Sequence, residues 1–269
     1  MSEQAEPTSL STLIILGTGY TGRVLFQQAR AAGRIVFAAS RAPETNLQGI
    51  PPEQRIRFDL DRADTWDSIP TRADVVWTFP AVPPDTVCTF GERIAPHLRR
   101  LIVLGATSAY EGSPQAVRGE PVDETASVDR SIARVQGEEL LRERYGAIVL
   151  RVAGIYGPGR NPLDWIRQGR VGYSHRYVNL IHVEDVAAII LRIVENGMPG
   201  DTYNVSDGTP RRWSEIMDAA AARWGTAKPL PADPTAGKRI SNRKLLAELG
   251  YTFRYPDLYK ALEELEQTK

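Results

Sequence analysis

Cysteine is almost absent from the chain: Cys88 is the only one among 269 residues. An intrachain disulfide is therefore impossible, and nothing points to an oxidising compartment. Histidine is nearly as rare. His97, His175 and His182 are scattered without metal-ligand spacing, so no metal is expected. No apolar run approaches the roughly 20 residues of a membrane-spanning helix. Net charge is missing too, with 33 basic and 33 acidic residues and no long run of one sign. That argues against nucleic acid or an anionic membrane as partner. Residues 1–11 are polar, with Glu3, Glu6 and Pro7 but no basic start or apolar core, and read as a loose tail rather than a signal peptide. The expectation left by these absences is a soluble, cytoplasmic protein whose partner is a small molecule.

What is present is organised around residues 12–25. An apolar run from Leu13 to Leu16 breaks into Gly17-Thr18-Gly19-Tyr20-Thr21-Gly22, and Val24, Leu25, Ala29 and Ala32 follow at helical spacing. This is the pattern of a buried strand, a tight turn and the start of a helix. Gly17 permits the turn, Gly19 lets a pyrophosphate approach the backbone, and Gly22 lets helix pack on strand. Free N–H groups at the helix start attract the phosphates, so the stretch predicts dinucleotide binding. A purely structural glycine turn is the alternative.

Further strands are expected at Ile35–Ala39, Arg55–Phe58, Asp74–Thr78, Leu101–Leu104 and Ala147–Arg151, with helices at Asp85–Leu98 and Ser127–Tyr145. Strands apolar on both faces, alternating with helices, predict an α/β fold: a Rossmann-type, doubly wound parallel sheet. The second strand ends in Ser40-Arg41 without an acid. An acid there suits a ribose 2′-hydroxyl, whereas an arginine suits a 2′-phosphate, so NADP is favoured over NAD. A solvated loop arginine is the plainer alternative. Thr107, Ser108 and Tyr110 follow the fifth strand in a loop-like stretch, 105–126, where open sheets place ligands. They are either site hydroxyls or turn residues. The expected cofactor contacts are completed by Asp59 and Leu60 after the third strand, by Phe79, Pro80 and Ala81 after the fourth, and by Ala153, Gly154 and Ile155 after the sixth.

Residues 12–160 thus read as the dinucleotide-binding domain, and 161–269 mainly as a small C-terminal substrate-binding annex. Residues 177–205 return to the sheet domain, with a strand at Tyr177–His182, a helix at Val183–Asn196 and a strand at Thr202–Val205. A helix at Trp213–Trp224 precedes a Pro-rich connector, Lys228–Pro234. Ser241 is expected to cap a short helix closed by Gly250, and Pro256 to open the last one.

Together these pieces resemble the extended and atypical short-chain dehydrogenases/reductases, the NAD-dependent epimerase/dehydratase family. The resemblance rests on Gly17–Gly22, Ala106-Thr-Ser-Ala-Tyr110, Glu124-Thr125, Leu150-Arg-Val-Ala-Gly-Ile-Tyr-Gly-Pro-Gly159, Ile181-His-Val-Glu-Asp-Val186, Tyr203-Asn-Val-Ser206 and Ser241-Asn-Arg-Lys-Leu245. It is strongest toward small bacterial atypical members of undefined activity. It implies a Tyr-x-x-x-Lys pair on the long helix, in which lysine lowers the tyrosine pKa and holds the nicotinamide ribose. It also implies dimers formed through the Asp85–Leu98 and Ser127–Tyr145 helices, and a shaping role for His182 and Asp185.

The pair itself is missing. None of the ten tyrosines has lysine four residues on, and the first lysine is Lys228. Aligned on Glu138, the lysine position is Arg134 and the tyrosine position Arg130, one helical turn apart if the helix begins at Ser127. Arg134 can bind a ribose, but Arg130 cannot act as a base. Thr107, Ser108, Tyr110 and Arg134 are therefore the catalytic candidates, with Glu111 and Tyr156 nearby. The expected function is an atypical oxidoreductase or epimerase acting on a small carbonyl or sugar-like substrate. A non-catalytic cofactor sensor or scaffold is the alternative.

Overall fold

A computed structural model describes residues 11–227 and 237–268. The tail before residue 11 and the 228–234 connector lie outside the described residues.

The sheet strands and major helices alternate along the first two thirds of the chain. They run β1 (Leu13–Leu16), α1 (Tyr20–Ala31), β2 (Val36–Ser40), β3 (Arg55–Arg57), β4 (Asp74–Trp77), α2 (Pro84–Ile94), β5 (Arg100–Ala106), α3 (Ala133–Tyr145) and β6 (Ile148–Val152). Then come α4 (Pro162–Arg167), α5 (Val183–Asn196), β7 (Thr202–Val205), α6 (Trp213–Trp224), α7 (Arg243–Leu249) and α8 (Leu258–Gln267). The seven strands form one parallel sheet in the order 3-2-1-4-5-6-7. The winding direction reverses between β1 and β4, and open sheets bind ligands beyond such a switch point.

Both faces of the sheet are covered, which is why β1 is wholly apolar and β1, β4 and β6 are buried along their whole length. Leu13 and Ile15 join a core with Leu25 and Phe26 of α1 and with Val186, Ile189 and Ile190 of α5. The alternate residues Ile14 and Leu16 join a second core with Val87 and Phe90 of α2 and Leu141 of α3. A further core lies in the C-terminal part of the chain, where Leu163 and Ile166 of α4 meet Ile216 and Met217 of α6 and Leu258 and Leu262 of α8. Among the described residues no helix is long and apolar enough to cross a membrane.

Several boundaries differ from the sequence expectation, each for a local reason. The long helix starts at Ala133, not Ser127, because Asp129 forms an Asx turn that accepts from the Ser131 N–H at 2.9 Å and its hydroxyl at 2.6 Å. That local bond competes with helix formation. Arg130 therefore lies outside α3 and is not one helical turn from Arg134. The stretch 105–126 is not all loop. It finishes β5, makes a 3₁₀ turn at Thr107–Tyr110 and a short helix at Pro114–Val117, and pairs Pro121–Val122 with Arg239–Ile240. That pairing occupies Ser241, whose N–H donates to Val122, so Asn242 stands at the head of α7 instead. Asp257, accepting from the N–H groups of Tyr259 and Lys260, caps α8 in place of Pro256. The 177–182 strand splits at Asn179, whose side chain bonds Lys238 and Ile240.

Candidate functional site

The glycine turn is built as its spacing requires. Gly17 has φ +83, and a Cβ there would stand 2.6 Å from the Phe79 ring. A Cβ on Gly22 would meet the Gly17 carbonyl at 3.1 Å and Ile15 at 3.2 Å, so this glycine seats α1 on β1. Gly19 is different: the nearest atom to its Cβ position is 4.0 Å away, leaving an open face. No side chain caps α1, so the N–H groups of Tyr20, Thr21 and Gly22 open toward the cleft without helical acceptors. This cradle fits a diphosphate. Thr18 anchors it, donating its N–H and hydroxyl to Ala39.

Two lobes extend from the turn. The first, a cavity of about 910 Å³, is lined by Ser40, Arg41, Asp59 and Leu60, by Phe79 and Pro80, and by Arg23. The Ser40 oxygen accepts from the Ala42 N–H and the Asn46 amide. Arg23, whose guanidinium also reaches the Asn46 and Gln48 carbonyls, adds a second cation beside Arg41. The residue after the third glycine was the signal for it.

The second lobe, about 480 Å³, brings Gly17, Gly19, Tyr20 and Thr21 together with Phe79, Pro80, Ser108, Arg134 and Ile155. Thr78, Gly105 and Arg160 complete its polar rim and floor. Arg134 reaches it because Gly137 lets α3 lie directly on the loop after β4. A Cβ on Gly137 would be 2.1 Å from the Ala81 carbonyl. Arg134 donates from Nη2 to Ser108 Oγ at 2.8 Å and from Nη1 to Glu138 at 3.4 Å. Glu138, fully buried, also pairs with Arg151, and Arg151 with Glu139. Gly105 makes room for this carboxylate, since a Cβ there would lie 2.5 Å from it. Burial pushes the Glu138 carboxyl up against the opposing pull of Arg151 and Arg134. An arginine ending an otherwise apolar strand was the signal for this network, because a buried cation needs a buried carboxylate.

Other expected residues stand elsewhere. Tyr110 is not in the cleft: it is fully buried and donates its hydroxyl to Asn204 Oδ1 at 2.9 Å. The 3₁₀ turn explains this, since at about three residues per turn Ser108 faces a different side from Tyr110. Burial holds the Tyr110 phenol well above its ordinary pKa, and Thr107 lines neither lobe. Ala81 lies buried under Gly137, while Ala153 and Gly154 line neither lobe. Arg130 pairs with Glu139 and Glu143 on the far side of α3. Glu111 pairs with Arg176 and Lys238. Tyr156 is fully buried, edge-on to His182 at 5.2 Å. His182 accepts the Glu184 N–H at the head of α5 and stacks on Tyr255 at 3.7 Å, and burial pushes its pKa down to about 4. Asp185 accepts from the Tyr251 hydroxyl and the Arg254 and Tyr255 N–H groups, tying the C-terminal segment to α5.

A protein from Silicibacter pomeroyi of unknown function superposes with a TM-score of 0.78, at 25% identity, covering 96% of this chain and 99% of its own. A Methylobacillus flagellatus protein, provisionally assigned as an NAD-dependent epimerase/dehydratase, gives 0.76 at 28% identity, covering 97% and 99%. The human epimerase family protein SDR39U1, solved with NADPH, gives 0.72 at 19% identity over 97% and 100%. The chain has the short-chain dehydrogenase/reductase fold. Its neighbours in that fold include atypical proteins of unknown function. No family model matches the sequence. Protein YeeZ of Escherichia coli K12 is 27% identical over 169 residues, and the match spans 61% of each chain.

Proposed function

We propose that the protein binds a nicotinamide dinucleotide, NADP in preference to NAD, and transfers hydride to or from a small carbonyl or sugar-like substrate. The observation that carries this is the Arg134–Ser108 bond in a lobe whose other wall is the glycine cradle. A bound nicotinamide would supply or accept the hydride. Because Ser108 accepts from Arg134, its own O–H is free to donate to a substrate oxygen. The guanidinium strengthens that donor where negative charge develops. Arg134 thus stands where the family's lysine would, as a fixed cation. Neighbours named for NAD or solved with NADPH support the cofactor class. Arg41 and Arg23 support the phosphorylated form, and the single cysteine supports a cytoplasmic setting.

One observation favours a second reading, a cofactor sensor without turnover. Among the described residues no histidine, cysteine or carboxylate lines the Ser108 lobe, and burial pushes the Tyr20 phenol up to about 12 against the pull of Arg160. Titration with NADPH and NADH, followed by nicotinamide fluorescence and calorimetry, tests the proposal, with Gly19→Asp as control. Tight NADPH binding abolished in the variant, followed by NADPH consumption with a carbonyl substrate, is the expected result. Preference for NADH overturns the NADP assignment, and failure to bind either nucleotide overturns the function. Binding without consumption across a carbonyl panel leaves the sensor.

A further inference from the structure

The Ser108 lobe is lopsided in charge: among the described residues two arginines line it and no carboxylate does. Arg134 is matched by Glu138 beneath it. Arg160 has no such match. It is exposed, its guanidinium carbon lies 4.8 Å from the centroid of the Tyr20 ring, and no ion pair to it occurs among the described residues. Its turn is nonetheless fixed. Gly157 and Arg160 exchange two main-chain bonds, at 3.2 and 2.9 Å. Gly157, at φ +148, fits where a Cβ would come within 2.8 Å of the Tyr20 hydroxyl and 3.2 Å of His182 Nε2. The cation is held at the cleft rim by its backbone, not by a carboxylate.

The cofactor diphosphate already has donors in the free N–H groups of Tyr20, Thr21 and Gly22. Arg160 lines the lobe of Ser108 and Arg134, not that of Ser40 and Arg41. The first turn of α3, which carries Arg134, holds no acid either. A guanidinium fork matches an oxyanion in two-point geometry. Resting on the dinucleotide reading, we propose that the substrate carries its own small anionic group, a carboxylate or phosphate monoester, held by Arg160 together with Arg134.

Wild type, Arg160→Ala and Arg160→Lys are first titrated with NADPH, and each NADPH complex is then titrated with malonate and with inorganic phosphate. Binding is read by nicotinamide fluorescence and calorimetry. At least one anion binds the wild-type complex. Arg160→Ala weakens that binding roughly tenfold or more, as expected for loss of a charge-assisted bond. Its NADPH affinity stays unchanged, and Arg160→Lys recovers part of the anion binding. No anion binding to the wild-type NADPH complex, or equal binding by Arg160→Ala, overturns the inference while leaving the dinucleotide reading standing. Weaker NADPH binding with unchanged anion binding assigns Arg160 to the cofactor's phosphates and also overturns it. Failure of NADPH to bind wild type, visible in the first titration, sinks the dinucleotide reading and this inference with it.

Discussion

Arg134 and Ser108 are joined by a 2.8 Å hydrogen bond that spans 26 residues of sequence and links the first turn of α3 to the turn after β5. The arginine is the donor, which fixes the serine as an acceptor on that side and frees its proton for the cleft. The arginine's positive charge polarises that hydroxyl. Where lysine and tyrosine would share proton transfer, this pair can only donate and stabilise.

Substitutions separate the two roles. Arg134→Ala is expected to weaken NADPH binding roughly tenfold, in line with losing one hydrogen bond to a charged group. Ser108→Ala leaves NADPH affinity near wild type and lowers turnover of any carbonyl substrate found. Calorimetry for the first and steady-state rates for the second check the division. If Ser108→Ala turns over as fast as wild type, the hydroxyl has no part in the chemistry.

Beneath the pair, Glu138, Arg151 and Glu139 form a buried chain of charges. Removing one member strands its partners without water, which typically costs about 3–5 kcal/mol. Arg151→Met is therefore expected to lower the urea midpoint sharply, whereas Arg62→Met, which breaks an exposed pair with Asp64, costs about 1 kcal/mol or less. Equal losses in the two variants would show that the buried chain is no tighter than the surface pairs.

How far the sequence led depended on how local each feature is. The glycine turn, the apolar strands and α5 were legible because spacing within a dozen residues determines them. The orientation of the 107–110 hydroxyls was not, because Ser108 and Tyr110 differ by two steps of a tight 3₁₀ turn rather than two of a strand. The late start of α3 hinged on one Asx turn at Asp129 that competes with helix. The partners of Arg134 were half visible: Glu138 lies one turn on, but Arg151 comes from β6 and only the fold brings it near. In the C-terminal part of the chain, helices were legible while the pairing of Arg239–Ile240 with Pro121–Val122 was not, since more than a hundred residues separate the partners.

His182 supplies a pH dependence. Its folded pKa, near 4, lies below the roughly 6.5 of an unfolded histidine. The neutral ring is therefore favoured in the folded state. Its contribution is fully present above the unfolded pKa and is lost as pH falls from 6.5 toward 4, amounting to about 3 kcal/mol in all. Urea midpoints measured between pH 7 and roughly pH 4 should fall, and His182→Asn should flatten the part of the slope that His182 contributes. An unchanged slope in the variant would assign the acid sensitivity to other groups.

Gly19 and Gly137 offer the cleanest separation of binding from folding. Gly19 has room for a methyl group on an open face and a negative φ, so Gly19→Ala places no strain on the turn. The added methyl occupies the space through which a diphosphate approaches, so NADPH affinity should drop at least roughly tenfold while the melting temperature stays within about 2 °C of wild type. Gly137→Ala is the converse. Its methyl would meet the Ala81 carbonyl at 2.1 Å, forcing α3 away from the loop after β4 and carrying Arg134 out of reach of Ser108. Overpacking of this kind typically costs 1–3 kcal/mol, so stability and NADPH affinity should fall together. A Gly19→Ala protein that binds NADPH like wild type would mean that the glycine turn is structural, and that the nucleotide, if bound, lies elsewhere.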